Sequence, residues 1–278
     1  MDKSIVEFAK RMDMAEDKKT LIEFAEHCSH VLDLGAGTGA MAKEIAKKYG
    51  CRVDAVDKAF KARVRQNGKG NITYYGVSIR DFLREYSKGH TYDCIIFSGV
   101  LHELNNDDLE DIKMFLPGLM ARNCRILIRE PLYDHYLGPV LDEDSKRFID
   151  LISDSVSVKK AFEYKDTSKI SEQGFGPGLI MFRNMGHNAL FYANLAFVIS
   201  YGEDSWEREK YEYRYARSIE WAKSFFDFYS RPFTGFQMYP VKNTSYRQHF
   251  INAGIPGAAF DLIQYTGLHI IIDYSRGE

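Results

Sequence analysis

Residues Val31–Ala40 read V-L-D-L-G-A-G-T-G-A, and no other stretch constrains the chain as tightly. Val31-Leu32-Asp33-Leu34 has the length and apolar character of a buried parallel strand. Gly35, Gly37 and Gly39 follow directly, permitting a tight turn that lays bare backbone against a ligand. Ala40–Ala46 then begins a helix whose first N–H groups face that turn. Strand, glycine loop and helix in this order make a cradle for a nucleotide-like ligand. Without one, three alternating glycines only weaken a helix start.

Gly35, Gly37 and Ala40 formally satisfy G-x-G-x-x-G/A, so a dinucleotide fold and an NAD-dependent oxidoreductase have to be weighed. Two details favour another ligand. The glycines alternate as G-x-G-x-G, and Asp33 sits inside the strand just before them. A carboxylate at the strand mouth is poorly placed beside a pyrophosphate and suits a ligand carrying an ammonium group. Arg52–Asp57 reads as a second strand ending in an acid, at the spacing of about 20 residues from glycines to acid that such units show. A carboxylate at Asp57 can accept both hydroxyls of a ribose. Val31–Gly39 resembles, at every position, the first motif of the class I S-adenosylmethionine (SAM) methyltransferases, (V/L)-(L/V)-D-x-G-x-G-x-G. The resemblance implies SAM as cofactor, held by Asp33, Gly35, Gly37, Gly39 and Asp57.

The family also implies a fold: α/β, a seven-stranded Rossmann-like sheet with a C-terminal antiparallel hairpin. The chain supplies matching segments. A third strand is expected at Ile72–Val77, followed by Ser78-Ile79-Arg80-Asp81-Phe82. Many relatives carry an acid where Ser78 stands, accepting the adenine amino group. Ser78 and Ile79 are therefore candidates for the adenine side, with Asp81 or backbone as substitutes and Phe82 either on the ring or in the core. A fourth strand, Tyr92–Ser98, runs into Gly99-Val100-Leu101-His102-Glu103-Leu104. This resembles the S-x-x-L-H-x-L segment of small-molecule methyltransferases, and places Ser98 beside the cofactor. Ligands in open parallel sheets sit beyond the carboxyl ends of the strands, so His102 is expected near the methyl acceptor. An unperturbed imidazole titrates near neutrality and can serve as a general base or simply line the pocket. A fifth strand, Cys124–Arg129, ends at Glu130, the second candidate to touch substrate. The (D/N)-P-P-(Y/F) signature of base amino methylation and the Pro-Cys nucleophile for cytosine C5 are both missing.

Thr244–Asn252 reads as the closing helix, and Phe260–Gln264 with His269–Tyr274 as the closing hairpin around Tyr265-Thr266-Gly267-Leu268. The expected domains are a SAM-binding core of residues 1–131 plus 243–278, and a mostly helical insertion at 132–242 between strand five and the last helix. Helices are expected at Ser4–Met12, Asp17–His27, Asp142–Ser153, His187–Ser200 and Ser205–Phe228. The insertion holds 23 of the 39 aromatic residues, enough for a small subdomain and for an apolar pocket. In the resembling family an insertion here commonly forms a lid. Gly174–Gly178 reads as a gate, and Arg183, His187, Arg231, Tyr239 and Lys242 as polar candidates inside it.

At 278 residues and 45% hydrophobic the chain can bury a full core. A formal net charge of −2 gives no general bias toward nucleic acid or anionic membrane. The run Lys58, Lys61, Arg63, Arg65, Lys69 reads as a solvated face or, more sharply, as a phosphate contact. Four cysteines without C-x-x-C pairing or zinc-like spacing to histidine suggest no metal and a reducing, cytoplasmic setting, with Cys94 and Cys124 in the core. No targeting signal or membrane span is visible in the sequence. The expected function is transfer of a methyl group from SAM to an oxygen or nitrogen of a small-molecule acceptor. The alternatives are an RNA or protein methyltransferase, for which the basic run is the best support, a non-catalytic SAM-binding protein, and the NAD enzyme.

Overall fold

The computed structural model describes residues 16–61, 64–66, 71–130, 142–153, 219–241, 244–252, 254–262 and 267–275. Strands β1 (His30–Leu34), β2 (Arg52–Val56), β3 (Val64–Gln66), β4 (Ile72–Tyr75), β5 (Tyr92–Ser98), β6 (Met120–Glu130), β7 (Gly235–Val241) and β8 (Gly267–Ser275) form one sheet. Its order is β3-β4-β2-β1-β5-β6-β8-β7. The pairs β4–β2, β2–β1, β1–β5 and β5–β6 are parallel. The Rossmann-like sheet expected from the glycine motif is present. The short β3 adds an eighth strand, antiparallel on the β4 edge.

The central strands are apolar because both faces are covered. Ile95, Ile96 and Phe97 of β5 and Val31, Leu32 and Leu34 of β1 are fully buried. Each such side chain contributes about 2 kcal/mol by leaving water. Helix α1 (Glu16–Phe24) precedes β1 and α2 (Ala40–Tyr49) follows it, burying Met41, Ala42, Ile45 and Ala46. After β4 comes α3 (Ile79–Asp81), running into a π-helical turn, Phe82–Tyr86. Helix α4 (Asn106–Leu119) opens on a reciprocal capping box, Asn105 Oδ1 accepting from Asp108 N at 3.0 Å and Asp108 Oδ2 from Asn105 N at 3.3 Å.

Strand β6 begins at Met120, earlier than the Cys124 the sequence suggests. Tyr92 pairs with Met120 but Cys94 with Arg125, so β6 carries extra residues across that step. Their carbonyls find a partner far along the chain. The buried Arg231 guanidinium donates to Met120 O at 2.7 Å, to Ala121 O and to Arg122 O at 2.6 Å. Arg231, an insertion candidate for substrate contact, is thus a structural group of the sheet.

The chain divides into two compact units. One comprises residues 1–130, 220–239 and 269–278, the other residues 131–219 and 240–268. The division differs from the expected boundaries at two places. Residues 220–239 go with the sheet because α6 (Ile219–Phe226) is aromatic on the side it buries. Phe226 lies 5.6 Å from Phe97 of β5, and Phe228 stacks 6.0 Å from Tyr274 of β8. The second unit contains α5 (Asp142–Ser153), α7 (Ser245–Asn252) and α8 (Gly257–Asp261) among its described residues.

The closing hairpin is corrected. Phe260 belongs to α8, not to a strand, and β8 is bonded to β7 from before α7. Pro256 supplies the N-terminal boundary, and Gly257-Ala258-Ala259-Phe260 buries Ala259 and Phe260 on one side. Phe260 packs edge-to-face on Phe250 of α7 at 5.6 Å. The expected helices Ser4–Met12 and His187–Ser200 lie outside the described residues, as does most of Ser205–Phe228. No helix among the described residues is long and apolar enough to cross a membrane.

All four cysteines are free thiols, with Cys51, Cys94 and Cys124 buried and Cys28 half-buried. Burial pushes the Cys124 thiol up to about 12. A hydrogen bond between Cys28 and Cys94 lowers the first and raises the second, which burial raises further. Iodoacetamide applied to the native protein at mildly alkaline pH is expected to label Cys28 ahead of the other three, because the thiolate is the reactive form. Peptide mapping that finds Cys124 labelled first would contradict this.

Candidate functional site

The register places the carboxyl ends of β1, β2, β4 and β5 together. Leu34 is level with Val56 and Phe97, Val56 with Tyr75, and Ser98 with Arg129 of β6. The connections leave β1 toward β2 on one side and return to β5 on the other. The crevice above β1 is therefore the topological switch point where such sheets bind ligands.

The glycine loop sits there. Gly35 N and Ala36 N both donate to Val56 O, at 2.9 and 3.0 Å, tying the loop to the end of β2. Gly35 has φ +79°, and a Cβ on it would lie 2.5 Å from Val100 Cγ2. Gly37 has φ +59° but a Cβ there would meet nothing within 4 Å. The first glycine is required by the protein's own packing. The second borders open space, as a ligand-facing position does. Gly39 directly precedes α2, and Tyr74 lies 2.8 Å from where its Cβ would stand.

Asp57 closes the cradle. Its Oδ2 accepts Gly37 N–H at 2.8 Å and its Oδ1 accepts Ala59 N–H at 2.8 Å. A carboxylate has about four lone-pair sites, so one remains on each oxygen for a pair of vicinal hydroxyls. Asp57 thus holds the loop while keeping the bidentate capacity expected of it. Asp33 is fully buried within β1. Ser98 Oγ at the end of β5 is buried and has no hydrogen-bond partner among the described residues.

On the β4 side, Ser78 Oγ accepts from Asp81 N at 3.0 Å and caps α3. Its hydroxyl is engaged by the backbone, which leaves Asp81, exposed, as the acidic side chain of that segment. Ile79 is buried. Phe82 is fully buried 4.9 Å from the Tyr75 ring, so it serves the core. Asp111 of α4 fixes the segment by accepting from Arg80 Nε at 3.0 Å and from an Arg84 guanidinium nitrogen at 2.8 Å.

On the β5 side, His102 lies in the 3-10 turn Leu101–Glu103, and its side chain is outside the described residues. Glu130 is buried at the end of β6. Its Oε1 accepts the N–H groups of Val100 and Leu101, both at 2.6 Å. Gly99 N donates to Arg129 O at 2.8 Å in the same place. Oε1 of Glu130, read as a second candidate base, is thus engaged by the backbone of the segment that carries His102. Sequence reasoning found the acid at a strand mouth but missed the two N–H donors about thirty residues earlier.

Of the insertion candidates, Tyr239 is exposed and shares a hydrogen bond with Gln237, its ring 5.2 Å from Phe24. Arg183, His187, Lys242 and the Gly174–Gly178 loop lie outside the described residues. Of the basic run, Lys58 and Lys61 are exposed, Arg65 lies in β3, and Arg63 and Lys69 lie outside the described residues.

Residues 31–114 match the family model of the methyltransferase domain. No curated protein matches the sequence. Among solved structures the chain is similar to a Nostoc punctiforme protein proposed to be an O-methyltransferase. It is 13% identical with a TM-score of 0.50, over 98% of this chain and 60% of that one. The chain therefore spans about three fifths of that relative's length. It is also similar to a SAM-dependent methyltransferase from Archaeoglobus fulgidus, at 13% identity and a TM-score of 0.48, over 95% and 94% of the two chains. A third is an O-methyltransferase family protein from Burkholderia thailandensis, at 11% identity and a TM-score of 0.46, over 98% and 59%.

Proposed function

We propose that this chain, which carries a methyltransferase domain over residues 31–114 on a Rossmann-like sheet, is a SAM-dependent methyltransferase acting on an oxygen or nitrogen of a small-molecule acceptor. The observation that carries the reading is the clamp at Gly37. Asp57 holds its N–H, the space above it is open, and Asp57 still has lone pairs for a ribose. Buried Asp33 and the unsatisfied Ser98 Oγ at the same strand ends fit a cationic, polar ligand.

SAM bound there would supply a methyl group already activated by a sulfonium leaving group. The protein's share is alignment and exclusion of water. Gly35–Gly39 and Asp57 would hold the nucleoside end, and Ile79 and Asp81 would border the adenine side. Glu130 fixes the Val100–Leu101 backbone and with it the position of His102. His102 takes the acceptor's proton where the acceptor needs a base. The expected small-molecule acceptor rests on the likeness of Ser98–Leu104 to small-molecule enzymes and on the aromatic content of 132–242. Four free thiols favour a reducing, cytoplasmic setting.

Calorimetry with S-adenosylhomocysteine and, separately, NAD tests the cofactor. Micromolar binding of the first and none of the second is expected, and the reverse would overturn the reading. Radiolabelled methyl transfer from SAM into a small-molecule extract, against RNA and protein fractions, tests the acceptor. His102→Ala is expected to lower turnover about 10²-fold or more with S-adenosylhomocysteine affinity within about twofold of wild type. Collapse of that affinity instead would make His102 a cofactor-pocket residue.

A further inference from the structure

At the opposite end of the same strands, three groups from distant parts of the chain converge. His30 opens β1, Asp54 lies in β2, and His90 precedes β5. They stand 24 and 36 residues apart, so no local spacing marks them. His30 Nε2 lies 3.1 Å from Asp54 Oδ2, and His90 Nδ1 lies 3.2 Å from the same oxygen. Tyr92 Oη donates to that oxygen as well, at 2.8 Å. Asp54 is almost fully buried, His30 mostly so, and His90 is about one-third exposed.

His30 Nδ1 lies 3.0 Å from Thr91 O, and a carbonyl only accepts, so Nδ1 carries the hydrogen. In a neutral ring Nε2 then has a bare lone pair, and it faces a carboxylate oxygen at 3.1 Å. Two acceptors at that distance need either a second proton on the ring, which then donates to the carboxylate, or a metal ion shared between them. Three groups converge on that oxygen, and the Tyr92 hydroxyl also lies 3.2 Å from His90 Nδ1, so the two rings, the phenol and the carboxylate form one cluster. One carbonyl-anchored imidazole, a second imidazole and a carboxylate meeting at a point is the arrangement of a metal site, in which the far ring N–H is held by a backbone carbonyl. Donors on a tetrahedral zinc lie about 3.3 Å apart, given bond lengths of about 2.0–2.1 Å. The two separations to the shared carboxylate oxygen, 3.1 and 3.2 Å, are compatible with this, and all three donor atoms lie within 4.8 Å of one another, close enough for one ion to reach with small side-chain shifts.

We propose that His30, Asp54 and His90 bind a divalent first-row transition metal of the zinc type, distinct from the cofactor site. Imidazole and carboxylate donors suit such ions. The partly exposed His90 edge is the entry path, and a water or the Tyr92 hydroxyl completes the coordination. The ion joins the start of β1, the middle of β2 and the turn before β5, so its role is to hold the sheet's amino end. This inference is independent of the methyltransferase reading.

The test is titration of chelator-treated full-length protein with zinc alone, followed by calorimetry and thermal melting. One equivalent bound and a melting point raised by several degrees is expected. Asp54→Asn and His90→Gln should each weaken binding at least tenfold while leaving S-adenosylhomocysteine affinity unchanged. X-ray absorption of the zinc-loaded wild type is expected to show two imidazoles and oxygen ligands, a readout that needs no variant to fold. No binding at millimolar zinc, equal binding by either folded variant, or sulfur in the coordination shell would overturn the proposal.

Discussion

Gly35→Ala is expected to destabilise the fold by about 3 kcal/mol, while Gly37→Ala costs only about 1–2 kcal/mol and instead weakens cofactor binding by more than about tenfold. Both positions have positive φ, at +79° and +59°, so both substitutions pay the left-handed penalty of roughly 1–2 kcal/mol. Only Gly35 adds a collision. Its Cβ would stand 2.5 and 2.6 Å from Val100 Cγ2 and Cβ, on a residue pinned through its N–H to Glu130. Val100 cannot withdraw without breaking that bond. At Gly37 the added methyl points into open space, on the side where the proposed cofactor would lie. Urea denaturation should therefore separate the two variants, and calorimetry with S-adenosylhomocysteine should show more than a tenfold loss for folded Gly37→Ala. Unchanged affinity in Gly37→Ala would mean that the ligand lies elsewhere.

Glu130→Ala is expected to cost about 3–5 kcal/mol. It leaves the N–H groups of Val100 and Leu101 without the acceptor they share at 2.6 Å, and an unsatisfied buried N–H costs about 1–3 kcal/mol. Glu130→Gln keeps a carbonyl oxygen for both and should retain at least half of that stability. The pair also separates two roles. A positioning Glu130 predicts that Glu130→Gln keeps turnover within about tenfold of wild type, with an unchanged pH profile. If Glu130 were the base, Glu130→Gln would fold well and lose turnover entirely, together with the acid limb of the profile.

Much of this site was legible because its requirements are local. Gly35 and Gly37 adopt conformations that side chains disfavour, and Asp57 directly follows a strand whose apolar composition shows in five residues. The closing hairpin misled because Phe260–Gln264 carries strand-like residues, whereas Pro256-Gly257-Ala258-Ala259 starts a helix that buries Phe260. Arg231 misled for another reason. A lone arginine in an aromatic segment looks like a ligand group until the carbonyls of Met120, Ala121 and Arg122, about 110 residues earlier, are seen around it.

The sequence by itself determined the strand–glycine loop–helix cradle, the acid that follows it, and the class of ligand they suit. These depend on backbone dihedrals and on periods within a dozen residues. Tertiary structure alone decided which atoms each carboxylate faces. It spends Glu130 on the His102 segment, ties Asp57 to Gly37, and gathers His30, Asp54 and His90 at the far end of the sheet. Those pairings follow from strand order and register, which bring together side chains too far apart in the chain for any local pattern to relate them.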